Sequence, residues 1–245
     1  CVESIRKRTR HPRYEIVISV PDRRASEDGS QLFGRSERLL RSPRGMASSG
    51  MRNLAARETD SPYLVFVDSN TEVITDTWLE ALLEFSQQNE IGVVGAKLLS
   101  NDGRIRHAGT ILGLGGDGIA GETLSGFPAD TSHHFGLATD VRNCSAVAGA
   151  CMMIRREVFD RVGGFDEAVP SGFDDLDLCL RVRQLELRIV WTPHARLYQY
   201  GPASRDSPDP DAVAFMKSRW GTALLEDPYY NPNLTRDRED FGIRL

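Results

Sequence analysis

Three carboxylates fall within four positions of the stretch SGFDDLDLCLRVR at residues 171–183. Asp174, Asp175 and Asp177 lie at the start of an apolar run that is typical of a buried helix. Acidic residues at a helix N-terminus accept its free N–H groups and balance its partial positive charge, so capping explains one or two of the three. Carboxylates this close also repel one another, which favours proton uptake by a general base. Capping and catalysis are both open at this point.

A second polar group, Asp68-Ser69-Asn70, directly follows the apolar run YLVFV at residues 63–67. The run predicts a buried strand, and a loop that follows such a strand is a common place for ligands. Small polar residues there often form an Asx-type turn. Carboxylate and amide oxygens are also the ligands that hard divalent cations prefer. The group therefore predicts either a turn or a cation site.

Together, the two polar groups suit the displacement of a phosphorylated leaving group from a carbon atom. A divalent cation at the first group would neutralise a departing diphosphate. A carboxylate of the second group would remove a proton from the attacking hydroxyl. The groups are more than 100 residues apart in the chain, so only the fold can bring them together.

The elements that must position these groups are predicted from apolar periodicity and turn residues. Strands are predicted at 15–20, 63–67, 91–99, 145–156 and 188–193, the last broken by Pro193, with a strand and flexible loop at 107–121. Helices are predicted at 1–9, 50–59, 76–88 with Thr75 as cap, 156–165, from the acidic stretch onward, and near 211–220. The segment 23–50 is predicted to be a mobile loop with at most one helical turn. Such alternation favours an α/β fold with a largely parallel sheet.

Composition limits the class of protein. The 245 residues, 40% of them hydrophobic, fit one large domain without a membrane-spanning run. A net charge of −5 without a basic stripe argues against nucleic-acid binding. Residues 1–57 carry 13 Lys and Arg against 6 Asp and Glu, which suits a solvated face or contact with phosphates or an anionic membrane surface. The four cysteines form no CxxC pair, which argues against zinc and favours a reducing compartment.

Long motifs in a fixed order run through residues 50–200 and the tail: YLVFVDSNTEVITDTWLEALL, IGVVGAKLLSNDGRIRHAGTILGLGG, RNCSAVAGACMMIRREVFDRVGGFDE, FDDLDLCLRVR, RIVWTPHARLY and DPYYNPNLT. They closely resemble the family 2 glycosyltransferases, above all the rhamnosyltransferase-like members of O-antigen biosynthesis. The resemblance implies a single GT-A domain with a Rossmann-like mixed sheet, mostly parallel and flanked by helices. It implies a nucleotide-sugar half at 1–100, an acceptor half at 101–205 and a C-terminal helix and tail at 206–245.

The resemblance also implies an activity and its partners. It implies inverting transfer of a hexose or rhamnose from a nucleotide diphosphate sugar to a saccharide or lipid-linked saccharide, in cell-surface polysaccharide synthesis. Mg²⁺ or Mn²⁺ is the implied cofactor. The implied location is cytoplasmic, with peripheral contact at the inner face of the membrane as an option.

Site residues follow from the resemblance position by position. Asp68 and Asn70 stand where the family has its metal motif. Asp175 matches the expected catalytic base, and Asp174 takes the place of the acid before it. The acid two positions further on is matched by Asp177, which the resemblance assigns to orienting the acceptor or capping the helix.

Two further segments carry expected binding residues. Arg52 and Asn53 fall in the family's segment near the nucleotide, where Asp68 also contributes. Gly149 and Ala150 fall in the segment that lines the acceptor side. Lone histidines such as His107 and His194 are expected in the core or at an edge, whereas His133-His134 lies in a loop that suits acceptor contact.

Several departures from the family pattern support a rival hypothesis. The chain begins in the helix after the family's first strand, and SVPDRRASEDGS, with Asp22 as a substitute, replaces an Asp-Asn-x-Ser stretch. Asn70 replaces an Asp, Gln199-Tyr200-Gly201-Pro202 replaces a His-rich motif, and Glu122 replaces a His in Ala-Gly-His. The rival is a non-catalytic relative that binds saccharide or a partner protein.

Overall fold

The computed structural model describes residues 1–22, 37–131, 136–201, 209–238 and 241–243. Its helices are α1 Val2–Arg8, α2 Ser48–Arg57, α3 Trp78–Ser86, α4 Arg156–Arg161, α5 Asp174–Arg183 and α6 Pro210–Trp220, and α6 continues into a 3₁₀ turn at Gly221–Leu224. Its strands are β1 Ile16–Pro21, β2 Glu37–Ser42, β3 Tyr63–Val67, β4 Thr71–Val73, β5 Ile91–Leu99, β6 Ile105–His107, β7 Thr110–Leu112, β8 Ala120–Glu122, β9 Arg142–Cys144, β10 Cys151–Arg155 and β11 Arg188–Gln199.

A seven-stranded sheet forms the centre of the molecule. Its strand order is β3-β10-β5-β11-β4, with β6 paired to β5 and β9 paired to β11. Two smaller sheets, β1-β2 and β7-β8, complete the described strands. The prediction of a mixed sheet flanked by helices in one domain is confirmed; its division into a donor half and an acceptor half stays a prediction.

The expectation that this sheet is mostly parallel was wrong. Only β5 and β11 pair in parallel within it, and its other described pairs are antiparallel. The reason is that β10 returns between β3 and β5 after the long excursion that contains β6 to β9, rather than through a helical crossover. Four strands of that excursion are only three residues long, too short for periodicity to reveal.

The sheet is buried on both faces because its long strands are apolar throughout. All nine residues of β5 are buried. Successive side chains point to opposite faces, so Val93 joins the cluster that contains α5, whereas Val94 joins the cluster that contains Trp78 and Leu82 of α3. This packing on both faces holds the strands in place, and so also positions the polar residues that follow the ends of the strands.

Several local expectations need correction. Residues 37–42 form strand β2 and not a loop, whereas the predicted loop at 23–36 lies outside the described residues. The strand predicted from residue 145 begins only at Cys151, and the strand predicted to break at Pro193 continues to Gln199 with an irregular register. The N-cap of α3 is Thr77; the Thr75 hydroxyl instead donates to the carbonyl of His194.

Candidate functional site

A cleft of about 510 Å³ opens where β3 ends and β10 begins. Its walls include six residues predicted from the sequence: Arg52, Asp68, Gly149, Ala150, Asp174 and Asp175. They come from α2, the turn after β3, the segment before β10 and the first turn of α5. The fold therefore brings the two distant acidic groups into one cavity at the carboxyl end of a strand, a usual place for ligands.

Arg52 joins the two acidic groups directly. Its Nη1 donates to Oδ2 of Asp174 at 2.8 Å, and its Nη2 donates to Oδ1 of Asp68 at 2.7 Å. Burial acts to lower the pKa of Arg52, but the charges of Asp68 and Asp174 outweigh it, so the pKa is raised overall. The guanidinium is therefore a fixed positive charge that holds two carboxylates of the cleft in place.

Asp68 lies in a backbone turn, and its carboxylate faces the cleft. Its carbonyl accepts the N–H of Thr71 at 3.1 Å and the Thr71 hydroxyl at 2.8 Å. The turn predicted after β3 is thus present. The Asp68 carbonyl makes the hydrogen bonds of the turn, whereas the Asp68 carboxylate binds Arg52. The Asp68 side chain is 39% exposed.

Asp175 is held by backbone groups from two segments. Its Oδ2 accepts the N–H of Gly149 at 2.7 Å, and its Oδ1 accepts the N–H of Leu176 at 2.7 Å. The residue is only 8% exposed, yet it lines the cleft. The N-cap of α5 is Phe173, without a side-chain cap. The carboxylates of the first turn balance the partial positive charge at the start of α5. Capping does not explain the bond to Gly149, which lies in a different segment of the chain.

The metal prediction has a partial donor set. Asn70 is tied to the end of β11, because its Nδ2 donates to the carbonyl of Tyr200 at 2.7 Å, so only its amide oxygen is left as a ligand. Within the described residues, no three His, Cys, Asp or Glu side chains cluster around one metal position. Magnesium is commonly held by one or two protein oxygens together with substrate phosphates. Asn70 does not line the cleft and the Asp68 carboxylate already pairs with Arg52, so the assignment of a cation to these two residues stays a prediction.

Two predicted site residues prove to be structural. Asp177 is fully buried and accepts from Nε of Arg181 at 2.8 Å and from Nε1 of Trp220 at 3.1 Å. Asn53 is also buried, and its Nδ2 donates to the carbonyl of Phe165 at 2.8 Å. Neither lines the cleft, so the predicted acceptor-orienting role of Asp177 and the predicted nucleotide-binding role of Asn53 are corrected. In a helix, residues 174 and 177 lie close together, but tertiary packing decides which of them faces a cavity.

Sequence reasoning placed His107 in the core and missed that it also lines the cleft. Its Nε2 accepts the N–H groups of Gly109 at 3.2 Å and Ala148 at 3.0 Å, so its proton lies on Nδ1, which faces the carboxylate of Glu122. The ring therefore fixes the backbone one residue before Gly149. The substitution of Glu for His in Ala-Gly-Glu was the signal in the sequence, because a carboxylate is a partner for an imidazole Nδ1–H.

Comparison with known proteins decides the family. The sequence profile described as Glycosyltransferase like family 2 matches residues 1–223. The chain belongs to this family. Its predicted kinship with the family 2 glycosyltransferases is thereby confirmed.

Two curated relatives extend well beyond this chain. It is 39% identical over 257 residues to the uncharacterized protein y4gI of Sinorhizobium fredii, covering 99% of this chain and 28% of that protein. It is 33% identical over 256 residues to the O-antigen biosynthesis protein RfbC of Myxococcus xanthus, covering 99% of this chain and 20% of that protein. The chain thus spans less than a third of the length of either relative.

Solved structures support the GT-A fold. GalNAc-T7, crystallised with UDP, GalNAc and Mn²⁺, superposes with a TM-score of 0.70 at 17% identity over 89% of this chain and 44% of that chain. The mannosyltransferase PcManGT of Pyrobaculum calidifontis, in complex with GDP-Man and Mn²⁺, gives a TM-score of 0.54 at 14% identity over 92% of this chain and 59% of that chain. At these identities, the likeness concerns the fold.

Proposed function

We propose that this domain transfers a sugar from a nucleotide diphosphate sugar to a hydroxyl group of a saccharide, with inversion at the anomeric carbon. The observation that carries the proposal is the convergence of Asp68, Arg52 and Asp175 on one cleft from three separate segments. Membership of a glycosyltransferase family and neighbours solved with UDP or GDP-Man support it. Inversion follows from a single displacement, in which the acceptor oxygen attacks the face opposite the leaving diphosphate.

Asp175 is the proposed base. The acceptor hydroxyl would pass its proton to an Asp175 oxygen as the new bond to the anomeric carbon forms and the bond to the diphosphate breaks. The two backbone N–H bonds orient the Asp175 carboxylate in the wall of the cleft. Asp174 is less suited, because its direct ion pair with Arg52 favours the charged form.

Asp68 and Arg52 are proposed to receive the leaving diphosphate. Asp68 and the amide oxygen of Asn70 would hold Mg²⁺ or Mn²⁺, which supplies positive charge to the phosphate oxygens when bound. Arg52 adds a fixed guanidinium that Asp68 and Asp174 hold in place. Gly149 and Ala150 are proposed to line the acceptor side.

The proposed biological setting is cell-surface polysaccharide synthesis. The similarity to RfbC of Myxococcus xanthus, named for O-antigen biosynthesis, supports this setting. The proposed acceptor is a growing saccharide, free or linked to a lipid, and the proposed location is the cytoplasmic side of a membrane. Within the described residues, no helix has the length and hydropathy needed to span a bilayer.

The test is turnover by the 245-residue chain and by Asp175→Asn. Purified protein is incubated with Mn²⁺ and UDP-glucose, dTDP-rhamnose or GDP-mannose, and release of the nucleoside diphosphate is followed with and without saccharide acceptors. We expect Asp175→Asn to lower turnover by about 10²- to 10⁴-fold, the usual contribution of a general base, and to leave binding of UDP or GDP unchanged.

Asp174→Asn is the matched comparison, because it removes a neighbouring charge and leaves the proposed proton acceptor in place. We expect it to retain more turnover than Asp175→Asn. Equal turnover by Asp175→Asn and the parent chain would refute the mechanism. An absence of both nucleotide binding and turnover in the parent chain would favour the non-catalytic relative.

A further inference from the structure

A continuous set of hydrogen bonds leads from strands β6 and β8 to the proposed base. The Glu122 carboxylate at the end of β8 contacts Nδ1 of His107 at the end of β6. Nε2 of His107 accepts the N–H of Ala148 at 3.0 Å. The next N–H along the chain, that of Gly149, donates to Oδ2 of Asp175 at 2.7 Å. All five residues line the cleft, so the proposed base is connected to two side chains that lie far before it in the sequence.

Both nitrogens of the His107 ring are engaged by groups of the protein itself. Nε2 also accepts the N–H of Gly109 at 3.2 Å, so two backbone donors point at this nitrogen and it carries no proton. The ring proton lies on Nδ1, where the Glu122 carboxylate accepts it. His107 is only 2% exposed. The ring is therefore placed to orient the backbone and not to exchange a proton with a substrate.

The segment that carries Ala148 and Gly149 depends on side chains for its position. It connects β9 to β10, and its residues 147–150 belong to no strand. The N–H groups of Ala148 and Gly149 donate to the side chains of His107 and Asp175 and not to a strand partner. Removing the His107 acceptor would leave the Ala148 N–H without its partner. The adjacent peptide, which holds Asp175, would then be free to shift.

We propose that His107 positions the proposed base through the Ala148–Gly149 backbone, and that Glu122 holds the ring in the required orientation and tautomer. This role rests on the proposed function and adds two positioning residues to it. A reacting group must be held within about 0.5 Å of its productive geometry, and surrounding hydrogen bonds provide that precision. Glu122, which departs from the family's Ala-Gly-His pattern, serves here as the acceptor of the ring proton.

The first test compares two substitutions of His107. His107→Leu removes the acceptor for the Ala148 N–H, whereas His107→Gln supplies an amide oxygen that can replace Nε2 as the acceptor. We expect His107→Leu to lower kcat by about 10- to 100-fold and to leave the KM for the nucleotide sugar and the affinity for UDP with Mn²⁺ within about 2-fold of the parent values. His107→Gln should recover most of the loss.

His194→Leu is the matched control, because it makes the same change at an exposed histidine outside the cleft, and it should keep the parent kcat. Circular dichroism and the unfolding temperature show whether each variant folds. If His107→Leu does not fold, His107→Asn replaces it, since its amide lies at the position of Nδ1 and is too short to take the place of Nε2.

A double-mutant cycle shows whether His107 acts through Asp175. If it does, His107→Leu should have little effect once Asp175→Asn has removed the base, and the double variant should turn over within about 3-fold of Asp175→Asn alone. A histidine that only stabilises the fold would lower turnover by the same factor in both backgrounds.

NMR spectra of the ¹⁵N-labelled imidazole test the ring in the parent chain, without any substitution. At about pH 8 they should show a proton on Nδ1 of His107 and none on Nε2. In Glu122→Leu the Nδ1 signal should shift, because the ring N–H loses its acceptor, and kcat should fall at unchanged KM.

A proton on Nε2 in the parent chain, unchanged kcat in His107→Leu, or equal factors in the two backgrounds of the cycle would each overturn the positioning role. Any of these can occur while Asp175→Asn still lowers turnover, and the proposed function then stands. Failure of the function itself appears separately, as unchanged turnover in Asp175→Asn.

Discussion

Gly149 is the point in the cleft at which Arg52 of α2 and Asp175 of α5 both approach the backbone. A Cβ atom at this position would lie 2.8 Å from Nη1 of Arg52 and 3.1 Å from Cβ of Asp175. The backbone of Gly149 also donates to Asp175 and accepts from Arg52. The absence of a side chain thus lets the guanidinium and the proposed base approach the same peptide, a close approach that glycine permits.

Gly149→Ala should therefore damage the site more than the fold. The added methyl group must push Arg52 or Asp175 by a few tenths of an ångström, and small misplacements of reacting groups reduce turnover strongly. We expect nucleotide-sugar turnover to fall by about 10²-fold. Steady-state release of nucleoside diphosphate measures the effect. Gly116→Ala is the control, because no atom lies within 4 Å of its Cβ position; equal losses in the two variants would contradict the argument.

Motif spacing predicted cleft residues well where the motif ends a strand or starts a helix. Asp68 and Asp175 both line the cleft because elements of known direction present them, whereas their catalytic roles stay proposals. Asn53 and Asp177 were misplaced, since a polar residue beside a motif can equally satisfy a buried backbone group or a buried arginine. Sequence alone does not reveal which polar groups the packing will bury.

Helices α5 and α6 are joined by the carboxylate of Asp177. Oδ1 accepts from Nε1 of Trp220 and forms an ion pair with Nε of Arg219 at 2.9 Å, whereas Oδ2 accepts from Arg181 one turn along α5. The carboxylate is completely buried, so it compensates two arginines in a low-dielectric setting. Asp177 therefore anchors the C-terminal helix to the helix that carries the proposed base.

Asp177→Asn should destabilise the fold, because it leaves Arg181 and Arg219 without their shared counter-charge. Breaking a buried ion pair from one side typically costs about 3–5 kcal/mol in the free energy of unfolding. Urea unfolding followed by circular dichroism measures the change. Asp166→Asn removes the other, partly exposed partner of Arg219 and should cost about 1 kcal/mol or less. A loss below 1 kcal/mol in Asp177→Asn would refute the anchoring role.

Element prediction succeeded where periodicity extends over many residues. The nine-residue strand β5 and the ten-residue helix α5 appear within the predicted segments. The direction of the strands was mispredicted because the three-residue strands β6 to β9 carry no periodic signal. The chain reverses its direction in this segment, and β10 therefore pairs with β5 in the antiparallel sense. Short strands are specified by their partners in the sheet and not by their own residues.

At the scale of the whole molecule, one buried lysine ties the central sheet to the excursion between β5 and β10. Lys97 of β5 is 1% exposed, and its Nζ donates to the carbonyl of Ala138 at 2.8 Å and to the carbonyl of Ala129. Burial, followed by the nearby charge of Arg196, lowers the pKa of Lys97 to about 8. The folded protein therefore loses this proton at a lower pH than the unfolded chain, in which lysine has a pKa near 10.5.

This difference predicts how stability changes with pH. Between pH 8 and about 10.5 the unfolded chain binds more protons at Lys97 than the folded protein does, so this residue makes stability rise with pH by up to about 1.4 kcal/mol per pH unit. Below pH 8 both states hold the proton, and the contribution is constant. The buried thiol of Cys144, whose pKa is raised to about 12, acts in the opposite direction, because the unfolded chain releases its proton first.

Comparison with Lys97→Met isolates the lysine, because Cys144 and the other titrating groups are the same in both proteins. Urea unfolding of each protein at half-unit steps from pH 7 to pH 10 gives the free energy of unfolding. We expect the difference, parent minus Lys97→Met, to be flat from pH 7 to 7.5 and to rise above pH 8. The variant loses the hydrogen bonds to Ala129 and Ala138, which lowers its stability by an amount independent of pH. Parallel curves over the whole range would mean that Lys97 titrates alike in both states, and a falling difference would mean that the fold favours its charged form.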